Sequence, residues 1–306
     1  MIPRRVTILG GTGFVGRALA ARLTAHGAAV RAASRQAHMA DLPAGVEPFT
    51  ANVRDTEQVR SAVSGAEAVV YLPGLVQARG AHVFRALHVE APRQCAELYR
   101  RAGGRHFVFV SALGVRRDAP AMADRTKAEG EAAVREVLPE AVVVRPSLVF
   151  GVGDHFVTAT ARMLRTLPVY PLIGGGRTRV QPVHVDDLAH ALAALIEHSG
   201  AGGQIYEIGG PQIFTLRAMV EMIRAAAETR CWLPALPYPA SMLLAAALEL
   251  LPNPPLIRDQ VRLLKTDKIV GGEHSTLRDL GISPHRLEDA LPEIVAAALR
   301  RTAKTG

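Results

Sequence analysis

Apolar and polar positions alternate between two textures from the first residues through Ile208. Short apolar runs fall at Arg5–Gly10, Ala29–Ser34, Val46–Thr50, Ala68–Leu72, His106–Ser111, Ala141–Arg145 and Gln204–Ile208. Between them, apolar residues recur at helical spacing over Phe14–His26, Thr56–Val63, Phe84–Ala102, Ala123–Val137 and Val185–His198. A near-continuous apolar strand is one buried on both faces of its sheet, and a parallel neighbour is reached only by a crossover, usually a helix. The pattern therefore predicts right-handed βαβ units, an α/β fold with a doubly wound parallel sheet.

After Gly209 the texture changes. Thr215 is placed to cap a helix running to Glu228, and Pro234, Pro237, Pro239, Pro252, Pro254 and Pro255 then separate short helical pieces. This reads as a smaller, mostly helical C-terminal lobe, rich in turns and poor in strands. The expected division is residues 1–154 and 181–208 for the sheet domain, with 155–180 and 209–306 forming a lobe for substrate or partner.

Candidate chemistry begins at the first turn. Gly10-Gly11-Thr12-Gly13-Phe14-Val15-Gly16 follows a β-branched strand and opens a helix. In that setting Gly10 permits a tight turn, Gly13 lets backbone approach a pyrophosphate, and Gly16 lets helix pack on strand. Phosphates then sit on the unpaired N–H groups and positive end of the helix. Gly10, Thr12, Gly13, Phe14, Val15 and Gly16 are accordingly candidate cofactor contacts in a Rossmann-type domain. At the end of the second strand, where an acidic side chain would take the ribose hydroxyls of NAD, the chain has Ser34-Arg35, and the first carboxylate is Asp41. A carboxylate repels a 2′-phosphate, whereas a guanidinium pairs with it through two hydrogen bonds. The reading favours NADP(H) and leaves NAD(H) open.

Composition adjusts this picture only slightly. Forty-nine per cent apolar and 21% charged residues describe a globular chain, and 306 residues suffice for a large core. The formal charge of +8 raises the question of an anionic partner. The basic residues are scattered and no nucleic-acid-binding motif accompanies them, so nucleic acid is not expected; a membrane surface or an acidic complex fits better. Cys95 and Cys231 have no metal-like or C-x-x-C spacing and read as buried thiols. No metal cluster or nucleophile elbow is present in the pattern. No signal-peptide pattern opens the sequence. The apolar segment Ser241–Leu251 contains Glu249 and is about half of what a membrane span requires. The expected location is cytoplasmic, with peripheral attachment to the inner face of the cytoplasmic membrane as a further expectation. Around that segment, Trp232, the prolines and Met242–Leu248 form either a core helix of the small lobe or an apolar surface for a membrane, a quinone-like lipid or another subunit, flanked by Arg230 and Arg258.

Further motifs follow in order. They are Asn52-Val53-Arg54-Asp55, Tyr71-Leu72-Pro73-Gly74, Phe107-Val108-Phe109-Val110-Ser111, Thr126-Lys127-Ala128-Glu129, Val144-Arg145-Pro146-Ser147-Leu148-Val149 and Pro182-Val183-His184-Val185-Asp186-Asp187. Together with Gly10-x-x-Gly13-x-x-Gly16 they resemble the extended and atypical branches of the short-chain dehydrogenase/reductase superfamily, which are epimerase/dehydratase-like. Ile208-Gly209-Gly210-Pro211, Arg258-Asp259-Gln260-Val261 and Asp279-Leu280-Gly281-Ile282 narrow the resemblance to bacterial relatives of the nucleotide-binding accessory subunit of respiratory complex I. In that family the cofactor is held tightly, and related proteins are linked to ubiquinone biosynthesis.

The resemblance implies roles residue by residue. Asn52 and Val53 should border the adenine, with Asn52 replacing a frequent aspartate; Leu72, Pro73 and Gly74 should line the ribose and nicotinamide side. Lys127 should hold the nicotinamide ribose hydroxyls, and Pro146, Ser147 and Val149 should pass beside the nicotinamide. Ser111 keeps the position of the family's serine. Active members carry a tyrosine four residues before the lysine as proton donor; here that position is Ala123, between Met122 and Asp124. His155 and His184 are the other groups weighed as an acid, each read first as structural.

Two functions are thus expected. One is an NADP(H)-binding protein with a structural, assembly or sensing role in respiratory complex I or quinone metabolism. The other is an NADP-dependent oxidoreductase or epimerase using a non-standard acid on a quinone-related, isoprenoid or sugar-nucleotide substrate.

Overall fold

Apolar runs too short for a helix become strands, whether or not β-branched residues dominate them. In the computed structural model, which describes residues 5–75, 77–78, 80–197, 201–252 and 254–302, these are β1 (Arg5–Leu9), β2 (Ala29–Ser34), β3 (Val46–Thr50), β4 (Ala68–Tyr71), β5 (His106–Val110), β6 (Val142–Pro146), β7 (Val149–Phe150), β8 (Leu172–Ile173), β9 (Arg179–Val180), β10 (Val183–His184), β11 (Ile205–Ile208), β12 (Phe214–Thr215) and β13 (Ala235–Leu236). The helices are α1 (Phe14–Ala25), α2 (Thr56–Val63), α3 (Ala81–Arg85), α4 (Ala91–Arg101), α5 (Met122–Val137), α6 (Phe156–Thr166), α7 (Val185–Glu197), α8 (Leu216–Ala226), α9 (Tyr238–Leu248), α10 (Arg258–Leu263) and α11 (Leu287–Thr302).

The chain forms two compact units. The first comprises residues 1–146, 185–208 and 271–283, and the second 147–184, 209–270 and 284–306. The first holds a seven-stranded parallel sheet of order β11-β6-β5-β4-β1-β2-β3. All seven apolar runs of the sequence became these strands, within two residues at each end. The order reverses at β1, which pairs with β2 on one side and β4 on the other, with Leu9 opposite both Ala33 and Tyr71. Such a reversal opens a crevice beyond the carboxyl ends of the strands. On one face, Val59, Ala62 and Val63 of α2 and Cys95, Ala96, Leu98 and Tyr99 of α4 pack with Tyr71, Phe107 and Phe109 into a buried core.

One sequence expectation changes here. The helix expected as one piece over Phe84–Ala102 is α3 and α4 joined by a π-helical turn, Ala86–Glu90. Pro92 explains the break in regularity: it has no N–H to offer the carbonyl four residues back, which is that of His88. The expected end of α7 at His198 lies outside the described residues.

In the second unit, α6, α8 and α11 pack Val157, Ala161, Leu164, Met219, Val220, Ile223, Leu291, Ile294 and Val295 into a separate core. Thr215 caps α8 as its sequence position suggests, accepting from the Ala218 N–H at 3.1 Å. As expected, the chain after Gly209 is poor in strands: β12 and β13 are two residues each, and the unit's ladders β7–β10, β9–β12 and β8–β13 are too short to leave a periodic signal. The core-helix reading of Met242–Leu248 does not hold: only Ser241 and Ala245 of α9 are buried, and Leu243 is 75% exposed. No helix among the described residues is long and apolar enough to cross a membrane.

Candidate functional site

The carboxyl ends of β1, β2 and β4 bring the glycine turn together with two loops. Gly10 has φ of +78°, a left-handed conformation that a side chain would strain, and its N–H donates to Ala33 O at 2.8 Å. A Cβ on Gly16 would lie 2.5 Å from Gly10 O, so α1 approaches the turn only because this residue has no side chain. Gly11, which lies outside the Gly10-x-x-Gly13-x-x-Gly16 spacing, is as tightly placed: a Cβ there would sit 2.7 Å from Ala32 Cα. Its φ is ordinary, so only the neighbouring strand reveals the constraint. Gly13 is exposed, and a Cβ on it would meet only Gly10 O, at 3.2 Å.

The N-terminus of α1 is prepared for an anion. It has no side-chain cap and no acidic residue in its first turn, so the N–H groups of Phe14, Val15 and Gly16 and the helix dipole meet no protein carboxylate there. Arg17 folds back onto Thr12 O at 2.9 Å, fixing the turn from outside. Burial of Gly16, Leu19, Ala20 and Leu23 along one face holds the helix against the sheet. These features fit a dinucleotide pyrophosphate.

On the β2 side, Ser34 is half-buried, and Arg35 follows it exposed and, among the described residues, without an ion-pair partner. Asn52 and Val53 lie just past β3, where Ala51 N–H donates to Ser34 O at 2.9 Å. Asn52 Oδ1 accepts from the Arg54 N–H at 3.1 Å, and Asp55 caps α2 through the N–H groups of Glu57 and Gln58, each 3.0 Å away.

On the β4 side, Leu72 N–H continues the ladder to Leu9 O at 3.1 Å. A Cβ on Gly10 would lie 3.3 Å from Leu72 Cβ and 3.4 Å from Pro73 Cδ, so the turn and this loop are in contact range. Beyond it, Lys127 of α5 donates from Nζ to Ser111 O at 2.9 Å and comes within 3.5 Å of the point a Gly74 Cβ would occupy. Ser111 is buried, and its Oγ has no hydrogen-bond partner among the described residues. A buried hydroxyl left unpaired is costly, and a bound ligand would satisfy it.

His88 also belongs here and was missed. It is 2% exposed, Nε2 accepts from the Leu75 N–H at 2.9 Å, and Nδ1 stands 2.8 Å from Thr126 Oγ1. Burial, aided by the nearby Lys127 ammonium, lowers its pKa to about 3. Pro92, four residues later in a helical pattern, was the available signal that this turn is irregular.

Ala123 is buried in the first turn of α5 and offers no proton. Tyr71 ends β4, but its hydroxyl donates to Leu87 O at 2.8 Å and burial drives its phenol further from ionisation. Tyr99 and Tyr206 of the same unit donate to Glu67 O and Gln204 Oε1. Asp124 is 2% exposed. Pro146 ends β6 in the first unit, whereas Ser147 and Val149 belong to the second. The Ser147 hydroxyl donates to Lys268 O at 2.7 Å and accepts from the Gln181 N–H at 3.1 Å; Val149 pairs with Val183. His155 is exposed beside α6, and His184 packs edge-on to Phe150 and 4.9 Å from the His285 ring. No group of three metal-ligating side chains occurs among the described residues.

A cavity of about 330 Å³ in the first unit lies at the opposite ends of β5 and β6, lined by Arg105, His106, Glu140 and Leu195 among others. Open parallel sheets bind ligands at strand carboxyl ends, so the glycine-turn crevice is the better candidate.

Comparison with known proteins agrees with this geometry. The model of the NAD dependent epimerase/dehydratase family matches residues 6–209. The mitochondrial NADH dehydrogenase (ubiquinone) 1 alpha subcomplex subunit 9 of Arabidopsis thaliana is 30% identical over 301 residues, covering 92% of this chain and 75% of that protein. Ceramide reductase of Caulobacter vibrioides is 32% identical over 191 residues, covering 62% of this chain and 60% of that one. Among solved structures, a dTDP-glucose 4,6-dehydratase from Streptomyces venezuelae with NAD bound superposes at a TM-score of 0.75 with 17% identity, covering 98% of both chains, a likeness of fold. With its glycine turn, parallel sheet and matched span, the chain belongs to the NAD dependent epimerase/dehydratase family.

Proposed function

We propose that this protein binds NADP(H) in the crevice at the ends of β1, β2, β4 and β5 and keeps it as a bound group, serving a structural, assembly or sensing role in a respiratory or quinone-linked complex. The observation that carries this reading is the pairing of a cofactor-ready first unit with Ala123 at the proton donor's position. A nicotinamide would supply hydride chemistry when bound; with Ala123 where active members carry the tyrosine, the residues named here serve to hold it. The Gly10–Gly16 turn would take the pyrophosphate. Arg35 would take the 2′-phosphate, Asn52 and Val53 the adenine, Leu72, Pro73 and Gly74 the ribose and nicotinamide side, and Lys127 the nicotinamide ribose. Ser111 Oγ and Pro146 would border the nicotinamide.

The preference for NADP(H) over NAD(H) rests on Arg35 and on the lack of a carboxylate beside it. Nucleotide released from the purified protein by acid should be NADP(H). Arg35→Asp should weaken NADPH binding by about tenfold or more while sparing NADH; unchanged NADPH affinity contradicts the assignment.

The relatives named as NADH dehydrogenase subunits support attachment to a larger assembly. So does the second unit, where Trp232, Leu243, Leu250 and Leu251 are exposed. Attachment at the inner face of the cytoplasmic membrane is part of the same proposal. Arg258 is half-exposed and paired with Glu249 at 2.8 Å, and Arg230 is exposed. A protein subunit is the favoured occupant, and flotation with acidic-lipid vesicles would instead favour the membrane itself.

A second reading is favoured by the retained Ser111 and Lys127 and by the likeness to ceramide reductase. It is an NADP-dependent oxidoreductase or epimerase on a quinone-related, isoprenoid or sugar-nucleotide substrate, with another acid in place of the tyrosine. Steady oxidation of NADPH by such a substrate would establish it.

A further inference from the structure

We propose that His88 is a positioning residue for the nicotinamide half of the cofactor, tying the loop Leu72–Leu75 to the helix that carries Lys127. This rests on the binding reading above and concerns the same crevice.

The direction of each hydrogen bond follows from chemistry. The Leu75 N–H can only donate, so His88 Nε2 is the acceptor and the ring proton sits on Nδ1. Nδ1–H then donates to Thr126 Oγ1 at 2.8 Å, leaving that hydroxyl to donate to Met122 O at 2.9 Å. The relay runs from the β4 loop, through the helix pair α3–α4, into the first turn of α5, one residue before Ala123. Every polar atom of the ring is satisfied, and a protonated ring would lose the loop. Burial and then the Lys127 ammonium keep it neutral, with a pKa of about 3.

Local packing gives the ring its place. His88 sits in the π-helical turn, whose His88 carbonyl has no partner N–H on Pro92. A Cβ on Gly130 would come 1.9 Å from that carbonyl oxygen, so α5 closes on the turn only through a glycine. Phe84 packs against the ring at 5.6 Å. Around Gly74, a Cβ would lie 3.8 Å from His88 Nε2 and 3.5 Å from Lys127 Nζ. Histidine and lysine therefore flank the same strip of bare backbone, while the glycine turn is built without either.

That asymmetry makes the test selective. NADPH spans both halves of the crevice; adenosine 2′,5′-bisphosphate reaches only the glycine turn and Arg35. His88→Phe keeps ring volume and removes both bonds, and Thr126→Val cuts the relay at its next step. Both variants should bind NADPH about tenfold more weakly, hold adenosine 2′,5′-bisphosphate within about twofold of wild type, and exchange the Leu75 amide proton faster. His88→Gln, whose amide oxygen can still accept from Leu75, should recover part of the NADPH affinity. Unchanged NADPH affinity in His88→Phe, or equal loss of both ligands, overturns the proposal. If the wild-type chain binds neither ligand, the binding reading itself fails, and this proposal with it.

Discussion

At Gly16 a methyl group has nowhere to go, because the Gly10 carbonyl and Gly11 backbone lie 2.5 and 2.7 Å from its position. Gly16→Ala should therefore cost about 1–3 kcal/mol, seen as an earlier urea midpoint, and lose nucleotide with it. Gly74→Ala is the informative contrast. Its Cβ would be 3.5 Å or more from every neighbour and its φ is not positive, so the fold should be unaffected. A loss of NADPH affinity in Gly74→Ala would then report ligand in that space, and unaltered affinity would remove Gly74 from the site. His88 adds a pH dependence whose sign is fixed. The folded ring titrates at about 3 and the unfolded one at 6.5, so the unfolded chain binds the extra proton between those values. The contribution is complete above pH 6.5 and falls by about 1.4 kcal/mol per unit as pH drops toward 3. Urea unfolding at pH 7 and pH 5 should show a larger acid loss for wild type than for His88→Phe; equal losses would contradict the assignment. The sequence made Gly10, Gly13 and Gly16 readable because their spacing has a mechanical reason. It hid Gly11 and His88 because their roles depend on Ala32, Leu75 and Thr126, which only the fold brings near.

Among the elements, β1, β4, β5, β6 and β11 were legible because burial on both faces demands unbroken apolar runs. Two-residue strands such as β7 and β10 have no period to read, and the π-helical turn differs from an α-helix by a single inserted residue. The exposure of α9 was illegible for another reason: an apolar helix looks the same in sequence whether it faces its own core or a partner. The element that positions Lys127 offers a quantitative check. Glu131 of α5 is 6% exposed and makes paired bonds of 2.9 and 2.6 Å with Arg145 of β6, which also approaches Glu207 of β11. Removing one partner leaves a buried charge, so Glu131→Ala should destabilise by about 3 kcal/mol in urea unfolding. A change under about 0.5 kcal/mol, the level of a surface substitution, would show that the pair does not tie α5 to the sheet.

For the molecule as a whole, family membership and fold say that a dinucleotide site is present in kind; they do not decide whether the nucleotide is consumed. The case against turnover lies in one residue, Ala123, and in the other tyrosines of the first unit, whose hydroxyls are committed to backbone or side-chain oxygens. The case for attachment lies in the second unit, with Trp232 66% and Leu250 87% exposed on a chain that has NADH dehydrogenase subunits among its relatives. The most direct measurement is the absorbance of the reduced nicotinamide in the purified protein loaded with NADPH, followed while quinones, isoprenoid carbonyl compounds and sugar nucleotides are added in turn. A protein that only holds its nucleotide should retain NADPH tightly and give a constant signal with every one of them. Steady oxidation with any of them would overturn that reading and make the protein an enzyme.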